Sequence, residues 1–521
     1  MRRAAFVPIL RSMRAGSLSS GAARVAVALD GERIWVVLVA AATATIVAGY
    51  VSKGVFLVVA ALLLVVFGYV TFRAPRTILA LLVFIPLVDR YLIRTFVADP
   101  YQTVAMFVSE GLLAFVVAAA FVRGRREGRL VEGFRHPVTA LFAAFIVVAL
   151  LSTLLNGVRP VVAGLGIETT LDMFIVFYLA RILGFDLRAG ILALGIFTGI
   201  AVAAGLLAMA QVVLAPDILG LVTFAGRFGE GLRPGAIFIG EPNMLAAVLG
   251  MAIPFAAFAS AKPGLSRRVR ALGIAALFVL LLALIFTFSR GTWLAVGIAM
   301  VVMGLVVDRR ALLLVLGTGV VALAATFILP RGVLLPPGSQ WSFDLGDATI
   351  TRVQAISRGN DERIKYIENA LPIVVDHPLV GTGPGTYGGG IAARYGSDLY
   401  TEYTAGLAPI NRTVDNYWLH SLVEFGVVGA MLLLGILGWL VLGILRGARE
   451  ATGSRRVVLA AVAGATLVSA LVSVTEMLLE GNTTTFSLFF FLAIATLVLG
   501  DTQGVRTSAL RNADMSNQPP K

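Results

Sequence analysis

The chain has 521 residues, 58% of them hydrophobic and 14% charged, with a net charge of +13 and no cysteine. Soluble proteins average about 45–50% apolar and about 25% charged residues, so this composition excludes a soluble globular protein and leaves residence in a bilayer. It also excludes disulfides, thiolate ligands and a cysteine nucleophile, and the three histidines (His136, His377, His420) are too few for a histidine-rich metal site.

Lipid offers the backbone no hydrogen bonds, so the spans are predicted to be helices. The apolar runs are continuous rather than alternating, which argues against a barrel. Residues 1–33 are polar and basic (Arg2, Arg3, Arg11, Arg14, Arg24, Arg33) and have no apolar run near the start, so they read as a cytoplasmic tail and not as a cleaved signal peptide. Stretches near the length a span needs follow at 34–52, 54–72, 77–89, 104–122, 137–155, 163–183, 189–214, 243–261, 271–289, 292–307 and 311–329. Three more lie at 418–445, 457–477 and 483–500. The 77–89 stretch is short and contains Pro86, and 163–183 carries Glu168 and Asp172, so twelve to fourteen spans are expected. The expected fold class is therefore an all-α polytopic membrane protein. Helices 1–11 fall in 34–329, a large extracytoplasmic loop with short helices in 330–415, helices 12–14 in 416–500, and a polar, disordered tail in 501–521.

Lysine and arginine set the orientation. With the N-terminus inside, 28 of the 42 fall in cytoplasmic segments, and half of the others sit in the one long loop. Both termini are expected in the cytoplasm, and the basic balance is accounted for by topology without nucleic acid.

The long loop is the one extended break among the spans. It holds Arg331, Arg352, Arg358, Arg363, Lys365, Arg394 and Arg412, then His377 and a glycine run at 381, 383, 385 and 388–390. A connection of this length in a compact chain is functional or disordered, and its helix-like pieces and aromatics favour function. Residues 361–371 have helical spacing of Ile364, Ile367 and Leu371, which would turn Arg363 away from the apolar stripe. Glycine amides can cradle an anion, although a plain turn explains the run equally well. His377 before proline reads more simply as a turn residue.

Other charges fall at the same outer boundary. Arg290 lies in a short turn between two spans, beside Trp293, where it is either a snorkelling interfacial arginine or a ligand. Asp415 stands at a helix N-cap position, and His420 and Glu424, four residues apart, share a face of the following span. Glu241 and Asn243 open another span, preceded by Arg227 and Arg233, and either cap it or line a polar cavity. Two arginines with glycine amides suit a diphosphate, and a neighbouring carboxylate suits removal of a hydroxyl proton. No Walker-type or dinucleotide-binding glycine motif is present, and no cofactor or metal is expected.

At these residues the chain resembles the O-antigen ligase and polymerase family of bacterial membrane glycosyltransferases. The resemblance rests on Gly240-Glu241-Pro242-Asn243, Phe288-Ser289-Arg290-Gly291, Arg363 upstream of 377–385, and Asn416-Tyr417-Trp418-Leu419 through Gly426-Val427-Val428-Gly429. It covers about residues 235–435. It implies a GT-C-like fold and transfer of glycan from an undecaprenyl-diphosphate-linked oligosaccharide donor to a hydroxyl of a glycan or glycolipid acceptor. The site would face the outside of a bacterial plasma membrane, where other polysaccharide-assembly membrane proteins are further partners. It implies that Arg290 and Arg363 hold the diphosphate and that Asp415 is the base, where the family usually has histidine. That departure leaves polymerase and ligase both open and keeps His420, one turn on, as an alternative base. Arg227, Arg233, Glu241, Asn243, Gly383, Gly385, Asn416 and His420 complete the expected substrate-binding set. A transporter or flippase of lipid-linked glycans is the rival reading; it would place its site at mid-membrane, where Glu110 and Asp172 are the candidate charges.

Overall fold

A computed structural model describes residues 66–87, 108–213, 224–225, 232–233, 241–328, 362–403, 414–480 and 484–500. The expected span 34–52, most of 54–72, both tails and the first part of the long loop lie outside the described residues. The chain divides into two compact units, one of Met1–Pro75 with Ile93–Phe115, the other of Arg76–Leu92 with Val116–Lys521. In the first, the described residues include a helical turn where the Arg73 guanidinium lies 5.4 Å from the centre of the Tyr69 ring.

The second unit holds the helical body. Its elements are α1 (Pro75–Phe84, beginning at the boundary), α2 (Val108–Arg126, crossing it), α3 (Leu130–Phe134), α4 (Val138–Leu155), α5 (Pro160–Leu183) and α6 (Leu187–Val213). A two-residue antiparallel pair follows, β1 (Phe224–Ala225) with β2 (Leu232–Arg233). Then come α7 (Pro242–Ala261), α8 (Arg267–Phe286), α9 (Arg290–Val306), α10 (Arg309–Ile328), α11 (Glu362–Asp376), α12 (Gly390–Tyr395), α13 (Leu399–Glu402), α14 (Tyr417–Glu450) and α15 (Gly453–Val472). The last described helix is α16 (Thr484–Gly500). Among the described residues eight helices are long and apolar enough to cross a membrane, and α9 and α16 are shorter apolar helices. The protein is an all-α polytopic membrane protein. The expected span at 163–183 is present as α5, with Asp172 buried inside it.

Of the eight long spans α7 and α15 are the most enclosed, and they pack on each other, on α8 and on α9. In lipid no hydrophobic force draws helices together, so close packing of small residues must do so. Gly250 of α7 is such a point. A Cβ there would stand 3.0 Å from Val296 of α9, 3.1 Å from Val468 of α15 and 3.2 Å from Thr292 of α9. Gly250→Leu should therefore force three helices apart and cost about 1–3 kcal/mol, as overpacked cores do, read as a lower midpoint of thermal unfolding in detergent.

Basic side chains at one end of this body cap helix C-termini. Arg76 Nε donates to the Leu183 carbonyl at 2.7 Å, Arg455 donates to the Val498 carbonyl and Arg456 to that of Val307. Arginines that read in the sequence as topology signals thus also satisfy carbonyls that a helix end leaves without partners.

The helical spacing expected over 361–371 is present as α11. Its buried face is Tyr366, Ala370 and Ile373, whereas Ile367 and Leu371 are exposed. The Tyr366 face is the inner one because it joins Tyr387, Ala392, Tyr400, Val414 and Val423 in one apolar cluster.

Candidate active site

The glycine run is threaded into the helical body instead of lying over it. Helix α14 is broken at Gly426, whose φ of 66° is in the left-handed region. A Cβ at Gly426 would lie 2.3 Å from the Leu379 carbonyl, so this close approach admits only glycine. The break frees backbone groups that the loop then takes up. Val427 N donates to Pro378 O at 2.9 Å and Val428 N to Leu379 O at 3.1 Å, while Thr382 N donates to Val423 O and Gly383 N to Glu424 O, both at 2.9 Å. Irregular backbone inside a span is tolerated where its polar groups find partners in protein, and the pairing with 378–383 supplies them at this break. Asn156, at the end of α4, donates through Nδ2 to Gly381 O at 2.9 Å. Gly166 of α5 meets the Pro384–Gly385 peptide so closely that a Cβ would stand 2.3 Å from Gly385 N.

A buried carboxylate holds the next turn. Glu424 Oε2 accepts from Gly385 N and Oε1 from Tyr387 N, each at 2.9 Å. His420 Nδ1 is 2.6 Å from the Tyr387 carbonyl. A carbonyl only accepts, so Nδ1 carries the proton and donates. His420 Nε2 then faces Glu424 Oε2 at 3.5 Å. Two lone pairs would repel there, so one proton lies between them. Gly388 N donates to the Tyr400 hydroxyl at 2.8 Å, and burial pushes the Tyr387 phenol up. Tyr403 donates to Asp376 at 2.7 Å, a bond that pushes its phenol up to about 12.

These contacts bear on three expected roles. The amide of Gly383 is taken by the backbone carbonyl of Glu424 and that of Gly385 by the Glu424 carboxylate, so the anion held at Gly385 is a side chain of the protein. Both ring nitrogens of the buried His420, the alternative base, are engaged within the chain. Asp415 is not the cap of α14. Asn416 is, its side chain accepting from Leu419 N at 3.0 Å.

The remaining candidates gather around a turn at 473–480. Tyr417 N, two residues after Asp415, donates to Ser473 O at 2.9 Å and Glu476 O at 3.3 Å. Gly291, next to Arg290, packs against Thr475 so closely that a Cβ would stand 2.5 Å from Oγ1. Glu480 Oε1 accepts from Gly390 N at 3.1 Å. One short turn thus touches the head of α14 beside Asp415, the head of α9 beside Arg290, and the end of the glycine run. Arg290 opens α9 after Phe288, a non-glycine residue with φ of 54°, and both Arg290 and Asp415 are partly exposed.

Glu241 sits at the N-cap of α7 without a side-chain capping bond, and Asn243 follows in the first turn. Gly250 of α7 meets Thr292 of α9, so Glu241 stands about two helical turns beyond Arg290 along the bundle. Arg227 lies outside the described residues; the backbones of Arg233 in β2 and Arg363 in α11 are described, but not their side chains, and the same holds for Glu110 in α2. Sequence reasoning missed Glu476 and Glu480. Their signal was available: Glu480 lies in the short connection between the last two expected spans and Glu476 at the end of the first of them, on the side assigned to Asp415.

Residues 275–434 match the model of a protein family described as O-antigen ligase. The match runs from α8 through the first half of α14, so it contains Arg290, Arg363, the glycine run, Asp415, His420 and Glu424 and leaves out Glu241, Glu476 and Glu480. No curated protein matches the chain.

Proposed function

From the match of residues 275–434 to the O-antigen ligase family model we propose that the chain transfers a glycan from a polyprenyl-diphosphate donor, undecaprenyl diphosphate in bacteria, to a hydroxyl of a glycan or glycolipid acceptor. The reaction takes place at the outer face of the plasma membrane. The observation that supports this reading most is that Tyr417, two residues after Asp415, and Gly291, next to Arg290, both pack on the 473–480 turn, inside or beside the matched segment.

Asp415 takes the proton of the acceptor hydroxyl as its oxygen attacks the anomeric carbon. The bond from that carbon to the diphosphate breaks on the opposite side, so the configuration inverts. Arg290 and Arg363 neutralise the charge that develops on the departing polyprenyl diphosphate. The donor is already activated on its lipid, so no nucleotide sugar enters, and the chemistry is that of a metal-independent GT-C-type enzyme. Both termini are then cytoplasmic, and 330–415 is extracytoplasmic. The break in α14 would suit a transporter if it opened a cavity, but the chain's own 378–383 segment fills it.

Arg290→Ala should lower transfer by about 10²–10³-fold, the usual loss of one preorganised group that stabilises charge, and Arg290→Lys should recover part of it. The measurement is turnover of a lipid-linked oligosaccharide by purified protein in vesicles. Unchanged turnover in Arg290→Ala would remove this arginine from the site.

A further inference from the structure

Helix α11 carries an apolar stripe that no described part of the protein covers. Ile367, Leu371 and Val375 are 50, 59 and 68% exposed, and Leu379, just past the helix, is 66% exposed. They recur every fourth residue, so they form one side of the helix and its extension. The opposite side is packed through Tyr366, Ala370 and Ile373. Lys365 and Glu368 are exposed between the two. Soluble surfaces rarely leave such a row to water.

The position of the stripe identifies what covers it. Pro378 and Leu379 are hydrogen-bonded through their carbonyls to the amides of Val427 and Val428. Those two side chains are 46 and 41% exposed, and Met431 and Leu434 continue the exposed face along α14. That helix is long and apolar enough to cross a membrane. On the other side of the loop, Leu154 and Leu155 of α4 are exposed directly before Asn156, which binds Gly381. The stripe of α11 therefore continues surfaces that lipid must cover.

We infer that α11 is an interfacial helix, lying along the bilayer at the end where α14 begins, with Ile367, Leu371, Val375 and Leu379 at the boundary of headgroups and acyl chains. A helix with one apolar and one polar face binds a membrane surface in this way. The inference does not depend on the transfer reaction. It fixes the depth of the loop, and the position of Arg363 with it, at the level of lipid headgroups.

The chain has no cysteine, so single cysteines label cleanly. Leu371→Cys, Val375→Cys and Lys365→Cys would each be labelled with an environment-sensitive NBD group in the full-length protein and reconstituted in phosphatidylethanolamine–phosphatidylglycerol vesicles. At 371 and 375 the emission should be blue-shifted and quenched several-fold more by lipids carrying a shallow nitroxide than by aqueous iodide. At 365 iodide should dominate. Iodide quenching at 371 and 375 equal to that at 365 would overturn the inference by placing the stripe in water. Protection from both quenchers would overturn it by showing that another part of the chain, such as 329–361, covers the stripe.

Discussion

Asp415→Asn should lower glycan transfer by about 10²–10⁴-fold, the contribution of a positioned general base, while leaving the protein folded. The substitution keeps shape and removes the ability to take a proton. The cap of α14 comes from Asn416 and the backbone bonds at this end from Val414 and Tyr417, so these contacts persist in the variant. Surface glycan from cells carrying the variant, resolved on a gel beside an expression control, reads the result. Loss of long glycan with accumulation of lipid-linked repeats marks a defect in polymerisation. Polymer that forms but stays on its lipid carrier marks a defect in ligation. Normal glycan at normal expression would show that the base lies elsewhere.

Glu424→Ala should be the most destabilising single substitution near the site. Its carboxylate is 1% exposed and is the acceptor for two buried amides, Gly385 N and Tyr387 N. Each buried donor left without a partner costs about 1–3 kcal/mol, so the two together cost on the order of 2–6 kcal/mol. His420 would also lose the group its Nε2 faces. Glu424→Gln should not restore the clasp, because its amide offers one acceptor oxygen where two amide donors require partners. Thermal unfolding of the purified protein should shift down for both variants, and amide hydrogen exchange should rise within 381–390. An unchanged exchange pattern in Glu424→Ala would mean that the backbone pairing around Gly426 holds the turn by itself.

The membrane class and its helical spans were legible because they depend on composition and run length. Those properties are local or additive along the chain. The break in α14 was not legible. Gly426 lies in an apolar run that continues on both sides, and glycine is common in such helices, so only the pairing partner at 378–383 reveals the kink. The inward face of α11 was not legible for a related reason. Ile364, Ile367 and Leu371 are the more hydrophobic stripe, but the aromatic cluster around Tyr387 and Tyr400 binds the Tyr366 side, and the aliphatic stripe is left to face outward. The glycine run was read as an anion site, and its amides do hold a carboxylate. That carboxylate is Glu424, forty residues away in sequence, which spacing alone could not select.

The most direct test of glycan transfer is the fate of a defined polyprenyl-diphosphate-linked oligosaccharide in vesicles containing the purified full-length protein. The donor should be consumed with release of polyprenyl diphosphate and appearance of an extended glycan of inverted anomeric configuration, and Asp415→Asn should stop both. Movement of the donor across the bilayer with its diphosphate linkage intact, and no extended product, would contradict a transferase and point to transport.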